Sequence, residues 1–70
     1  MNVNLIDLIN EVRERFFMSQ KDFAQESELS PAIISRIIRG KAKPRLMIAA
    51  KILKVINGKL GTNIKYKDLI

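Results

Sequence analysis

Cysteine and histidine are both absent from this 70-residue chain. Without cysteine there is no disulfide and no thiolate metal site to hold a small fold together. Without histidine the commonest general base and the commonest neutral metal ligand are gone as well. No metal, cofactor or small-molecule substrate is expected, and stability must come from packed apolar side chains, alone or with a partner chain. Long apolar runs are missing too, since nothing approaches the roughly 20 residues of a membrane span. The opening stretch, MNVNLIDLINEVRERF, carries acids and no basic n-region, so it does not read as a signal peptide. The expectation is a protein of the cytosol with no membrane partner.

Acidic residues are scarce in one half of the chain. Residues 1–28 hold Arg13, Arg15 and Lys21 against Asp7, Glu11, Glu14, Asp22, Glu26 and Glu28, a net of −3. Residues 29–70 hold ten basic residues against Asp68 alone, a net of +9, which gives the chain its total of +6. A surface charged only for solubility would mix the signs, so the polarity points to an anionic partner for the second half.

What is present is helical periodicity. Seventy residues at 47% hydrophobic allow one small domain, taken as residues 1–70. Leu5, Leu8, Ile9, Val12 and Phe16 recur at helical spacing, and Asn4 with Asp7 three residues on reads as an N-cap. Met18 and Ser19 break that pattern. Ser19 then caps a second helix, Gln20 to about Ser27, with Asp22 in the capping-box position. Ser30-Pro31 starts a third, Pro31 to about Arg39, with Gly40 as its left-handed stop. Beyond Pro44, Leu46, Ala49, Ala50, Leu53 and Ile56 form one apolar stripe and Ile48, Ile52 and Val55 a second, so this helix should be covered twice. Asn57-Gly58 or Gly61 can end it, and Tyr66, Leu69 and Ile70 can fold back on the second stripe.

A short helix, a tight turn and a capped helix ending in glycine make a helix-turn-helix arrangement. Over SQKDFAQESELSPAIISRIIRGKAKP the chain also resembles the helix-turn-helix domain of phage Cro and cI-type repressors and their bacterial XRE-type relatives. The residues that carry the resemblance are Ser19-Gln20, Phe23-Ala24, Ser30, Ile34, Ser35-Arg36, Ile37, Arg39-Gly40-Lys41 and Pro44. The resemblance implies an all-α, lambda-repressor-like bundle of about five short helices, with the motif at about 19–40 and a C-terminal helix and tail at 45–70. The chain departs from the pattern at three places. Glu28 stands where the turn normally has glycine, at a cost of about 1 kcal/mol. Ile38 replaces a usual Glu, and Ser27 a usual apolar residue.

By the same resemblance, Ile34 and Ile37 are the buried side of the recognition helix, and Pro31, Ala32, Ile33, Ser35 and Arg36 are the base-contacting side. Arg36 alone on that face can make the bidentate contact to guanine, and Ala32 and Ile33 suit thymine methyl groups. Gln20, Ser30, Arg39, Lys41, Lys43 and Arg45 are the phosphate-contacting set. Each has a blander alternative. Arg36 can be a solvated cation or the partner of a nearby Glu, the basic run a wetted loop, and Ile33 a core edge or a dimer contact. Ile38, Ile48, Ile52 and Val55 suit a dimer or tail contact, or simply the core.

The expectation for function is a sequence-specific double-stranded DNA-binding regulator acting as a repressor of phage or mobile-element type in a bacterial or phage-infected cell. It would work on an operator as a homodimer, either stable or DNA-induced, with a protein regulator as a further partner. The competing class is a protein-binding module, such as an antitoxin or anti-repressor adaptor on the same fold. No enzyme is expected: Asp7, Glu11 and Glu14 line a helix surface as solvating charge, and there is no glycine-rich phosphate loop.

Overall fold

Capping decides where each helix begins. The computed structural model describes residues 3–69. Helix α1, Leu5–Arg15, is opened by Asn4, whose Oδ1 accepts the Ile6 and Asp7 amides at 2.9 and 3.2 Å. Asp7 in its first turn and Arg13 and Arg15 in its last complement the helix dipole. Helix α2, Gln20–Glu26, carries the full capping box: Ser19 Oγ accepts the Asp22 amide and Asp22 Oδ2 accepts the Ser19 amide, both at 3.0 Å. At seven residues α2 cannot stand alone in water. It is held by packing on α3, Pro31–Ile38, with Phe23 and Ala24 turned inward.

The turn between α2 and α3 takes the left-handed bend that the sequence requires of Glu28, at φ 59°. Ser27 is buried, and its hydroxyl lies 2.8 Å from the Phe23 carbonyl and 3.1 Å from that of Ala24, so its proton always has an acceptor. A serine therefore replaces an apolar residue here without orphaning a polar group.

Helix α4, Leu46–Leu60, runs through Asn57-Gly58 and stops at Gly61, which is left-handed at φ 68°. Its buried face is one broad band of Ala49, Ile52, Leu53 and Ile56, not two separate stripes. Two members of the expected first stripe are exposed. Leu46 sits in the first turn, beyond the core, and Ala50 is rotated about 100° from Ala49. Ile52 belongs to the core and is 0% exposed, so it has no surface for a second subunit. Ile38, Ile48 and Val55 are half-buried against the same core.

Asn57 directs the tail. Its Nδ2 donates to the Ile64 carbonyl at 2.9 Å, while its Oδ1 accepts the Ile64 amide at 2.9 Å and the Thr62 hydroxyl at 2.7 Å. That pairing fixes the extended segment after Gly61 against α4. A single 3-10 turn, Tyr66–Asp68, follows, and Leu69 forms a parallel bridge with Val3. Ile64 and Leu69 pack on the core, whereas Tyr66 stays exposed. Ile70 lies outside the described residues.

The described residues are thus all-α, with four α-helices and one 3-10 turn where about five short helices were expected. The fifth is reduced because Asn57 and Val3 hold its flanks extended. Phe23, Ile9, Ile34, Ile52, Ile56 and Val12 are fully enclosed where the four helices meet. Truncating Phe23 to Ala would cost about 3–5 kcal/mol. No helix among the described residues is long and apolar enough to cross a membrane.

Candidate nucleic-acid interface

Helix α3 is built to lie on its core by one side only. Ile34 and Ile37 are buried, Pro31, Ala32 and Arg36 are exposed, and Ile33 and Ser35 are half-buried. Ser30 Oγ accepts the Ile33 amide at 3.3 Å, which leaves its hydroxyl proton free to donate. Pro31 at the first helical position gives up no amide that the helix would use.

The end of α3 is as well defined as its start. Arg39 keeps a helical backbone at the C-cap, and Gly40 turns left-handed at φ 73°. The Lys41 amide donates to the Arg36 carbonyl at 2.9 Å and the Gly40 amide to the Ile37 carbonyl at 3.0 Å, the paired bonds of a Schellman stop. Ala32, Ser35, Arg36 and Arg39 therefore follow one another at i, i+3, i+4 and i+7 along the outward face.

Past the stop, Lys41, Lys43 and Arg45 are exposed. The loop folds back to form a cleft of about 240 Å³ lined by Ile33, Arg36, Ile37, Ala42, Lys43, Pro44, Arg45 and Ile48. Its floor is apolar and its rim carries three cations. The structure thus brings Ile33, Arg36, Lys43 and Arg45 to one place. It also adds Ala42, Pro44 and Ile48, which the sequence reading had not assigned to this surface. The alternation of cations with small or apolar residues in KAKP was the available signal.

The described residues contain two ion pairs, Arg15–Glu11 at 3.6 Å and Lys59–Glu26 at 3.3 Å. Neither involves Arg36, Arg39, Lys41, Lys43 or Arg45, so the alternative in which Arg36 pairs with a nearby Glu is not what the fold does. Gln20 opens α2 and is half-buried. Beside it, the Asp22 carboxyl is held below its ordinary pKa, first by the Ser19 backbone amide and then by the Ser19 hydroxyl.

A corner missed by the periodicity lies on the acidic half. Phe17 is left-handed at φ 54° and 94% exposed, Phe16 is 42% exposed under Lys59 Nζ at 5.2 Å, and Met18 is buried. Arg13 supports the bend from beneath, donating through Nε to the Met18 carbonyl at 3.2 Å.

Comparison with known proteins gives one further observation. A helix-turn-helix family model matches residues 9–62, from within α1 to just past the end of α4. The comparisons with curated proteins and with solved structures returned no match. A match over that span covers well more than half of the chain and includes every helix of the motif. The chain belongs to the helix-turn-helix family of DNA-binding regulators, of the XRE type to which Cro and cI are related.

Proposed function

We propose that this protein is a sequence-specific repressor that lays α3 in the major groove of an operator and grips the flanking strands with the loop that follows. The observation that carries the reading is the continuity of one surface. The exposed Arg36 of α3 meets the exposed Lys43 and Arg45 at a single cleft, with no acidic residue between positions 29 and 67 to oppose them. An α-helix fits the major groove, where each base pair displays a distinct pattern of donors, acceptors and methyl groups.

In this reading Arg36 makes the bidentate contact to guanine, Ala32 and Ile33 meet thymine methyl groups, and Pro31 and Ser35 complete the base-facing set. Arg39, Lys41, Lys43 and Arg45 neutralise phosphates, and Ser30 and Gln20 donate to them. Phosphate contacts set register, while base contacts choose the site. One short helix reads few base pairs, so two copies on related half-sites are needed to find a site in a genome. Repression follows from occupancy: a bound copy blocks whatever else must use that stretch of duplex. No catalytic step is part of this function.

Footprinting across the DNA around the protein's own gene tests the reading. A protected site of defined sequence supports it, and Arg36→Ala should relax the preference at one base pair of that site. Binding that is indifferent to sequence at all salt concentrations would refute it.

A further inference from the structure

Asn57-Gly58 reads as a helix end, yet α4 runs through both residues to Gly61. Gly58 is exposed, and a methyl group added to it would meet open space. Neither a close approach nor a left-handed bend calls for glycine there. Its missing side chain instead loosens the last turn of the helix, by roughly 2–5-fold relative to alanine. Of the five asparagines in the chain, only Asn57 is followed by glycine.

The residue before this weak point carries the end of the fold. The Asn57 backbone carbonyl accepts the Gly61 and Thr62 amides at 2.9 and 3.2 Å, which stops α4. Its side chain pairs with both main-chain groups of Ile64 and accepts the Thr62 hydroxyl. Through Ile64 and Leu69 the tail then packs on the core. One half-buried asparagine thus fastens both the helix stop and the tail.

We infer that Asn57 is a site of spontaneous deamidation, gated by opening of the last turn of α4, and that the reaction releases the tail. The nitrogen of a glycine is the least shielded nucleophile in a backbone, because no Cβ stands beside it. The Gly58 nitrogen attacks the side-chain carbonyl carbon of Asn57. The bond from that carbon to the side-chain nitrogen breaks, and the nitrogen leaves as ammonia with the Gly58 amide proton. One water then opens the resulting succinimide. Attack at the side-chain carbonyl gives aspartate, and attack at the main-chain carbonyl gives isoaspartate. In the closed helix the Gly58 amide points at the preceding turn, so the reaction cannot start. The three side-chain bonds of Asn57 keep that turn closed and slow the reaction on the order of 100-fold relative to an open chain.

Both products undo the fastening. Aspartate has no N–H, so the Ile64 carbonyl loses its donor and faces another acceptor. Isoaspartate reroutes the chain through Cβ and takes the Asn57 carbonyl out of the helix stop as well. Ammonia is lost to solvent, so the change runs one way. Each copy therefore has a bounded folded lifetime, and its conversion sheds one unit of the net +6.

Intact-mass and peptide-mass measurements on the full chain, held warm at mildly alkaline pH, test the inference with the wild type, Gly58→Ala and the free peptide VINGKLGT. Wild-type Asn57 should convert on the order of 100-fold more slowly than the peptide, and faster than the helical Asn10. Gly58→Ala keeps the fold and should convert several-fold more slowly still, because it shields the nitrogen and firms the helix. Low urea should leave the wild-type rate nearly flat, since so local an opening exposes little surface. In converted chains the Ile64 amide should exchange freely while the α2 and α3 amides keep their protection. The inference is overturned if Asn57 converts no faster than Asn10, or if Gly58→Ala converts at the wild-type rate. A rate that climbs steeply from the first addition of urea, or converted chains that still protect Ile64, would overturn it equally. The measurement needs no DNA, so it bears on the tail and not on the operator.

Discussion

Replacing Lys43 and Arg45 together by alanine isolates the electrostatic half of the proposed mechanism. Both side chains are exposed at the rim of the cleft beside α3. Neither is in an ion pair among the described residues, and the Arg45 side chain makes no capping bond to α4 although its backbone is the cap. The fold should therefore be indifferent to the change. Each phosphate neutralised by a cation contributes about 0.9 to the slope of log affinity against log salt. Arg39, Lys41, Lys43 and Arg45 together predict a slope of about −3.6 per bound copy, and the double variant about −1.8. From 50 to 200 mM salt the wild type should thus weaken roughly 150-fold and the variant roughly 12-fold. Fluorescence anisotropy with a labelled duplex carrying one half-site measures both slopes, and thermal melting of the free proteins checks the fold. A variant with the wild-type slope would mean that these cations do not meet phosphates.

Four shorter tests follow. Arg36→Ala should lose about 1–3 kcal/mol of discrimination at a single base pair, read by competition among singly substituted duplexes; uniform weakening across all sequences would make Arg36 another phosphate ligand. Phe17→Gly should stabilise the fold by about 1 kcal/mol, since relief of left-handed strain outweighs the added freedom of the unfolded chain; a lower melting temperature would contradict the strain. Asn57→Ala should destabilise by about 2–3 kcal/mol through three lost hydrogen bonds, with the Ile64 amide exchanging faster than the α4 amides. Asp22 has its pKa depressed in the folded state, so its stabilising effect is present above the ordinary 3.8 and is lost as pH falls through the folded value. Asp22→Asn should accordingly be less stable than wild type at neutral pH and equal to it in strong acid, as followed by denaturant titration across pH.

The first three helices were legible because their limits are set by near neighbours. Asn4, Ser19 and Ser30 each bond amides two or three positions ahead, and α3 is stopped by the Gly40 and Lys41 amides, which reach carbonyls three and five positions behind them. Such signals lie within a window that can be read residue by residue. Phe16-Phe17-Met18 offered three apolar side chains and room for one inside. Which one turns in depends on where α2 must start to place Phe23 against α3. The breadth of the α4 band was equally hidden, because what covers it depends on the path of the tail. A polar residue, Asn57, sets that path by reaching seven positions ahead, and no hydrophobic period records it. Within the candidate interface, the sequence named the cations. It did not place Ala42 or Pro44 there, because the alternation in KAKP is only four residues long, nor Ile48, which faces the cleft from the first turn of α4 only because the loop folds back beside it.

The bridge between Val3 and Leu69 makes the described chain a ring fastened at its seam, with the Val3 amide donating to the Asp68 carbonyl at 2.9 Å. Fastening a seam that long demands the largest loss of chain freedom of any pairing in the fold. The helices can assemble from nearby partners long before then. The clasp should therefore be the last part to shut during refolding and the first to fray on warming.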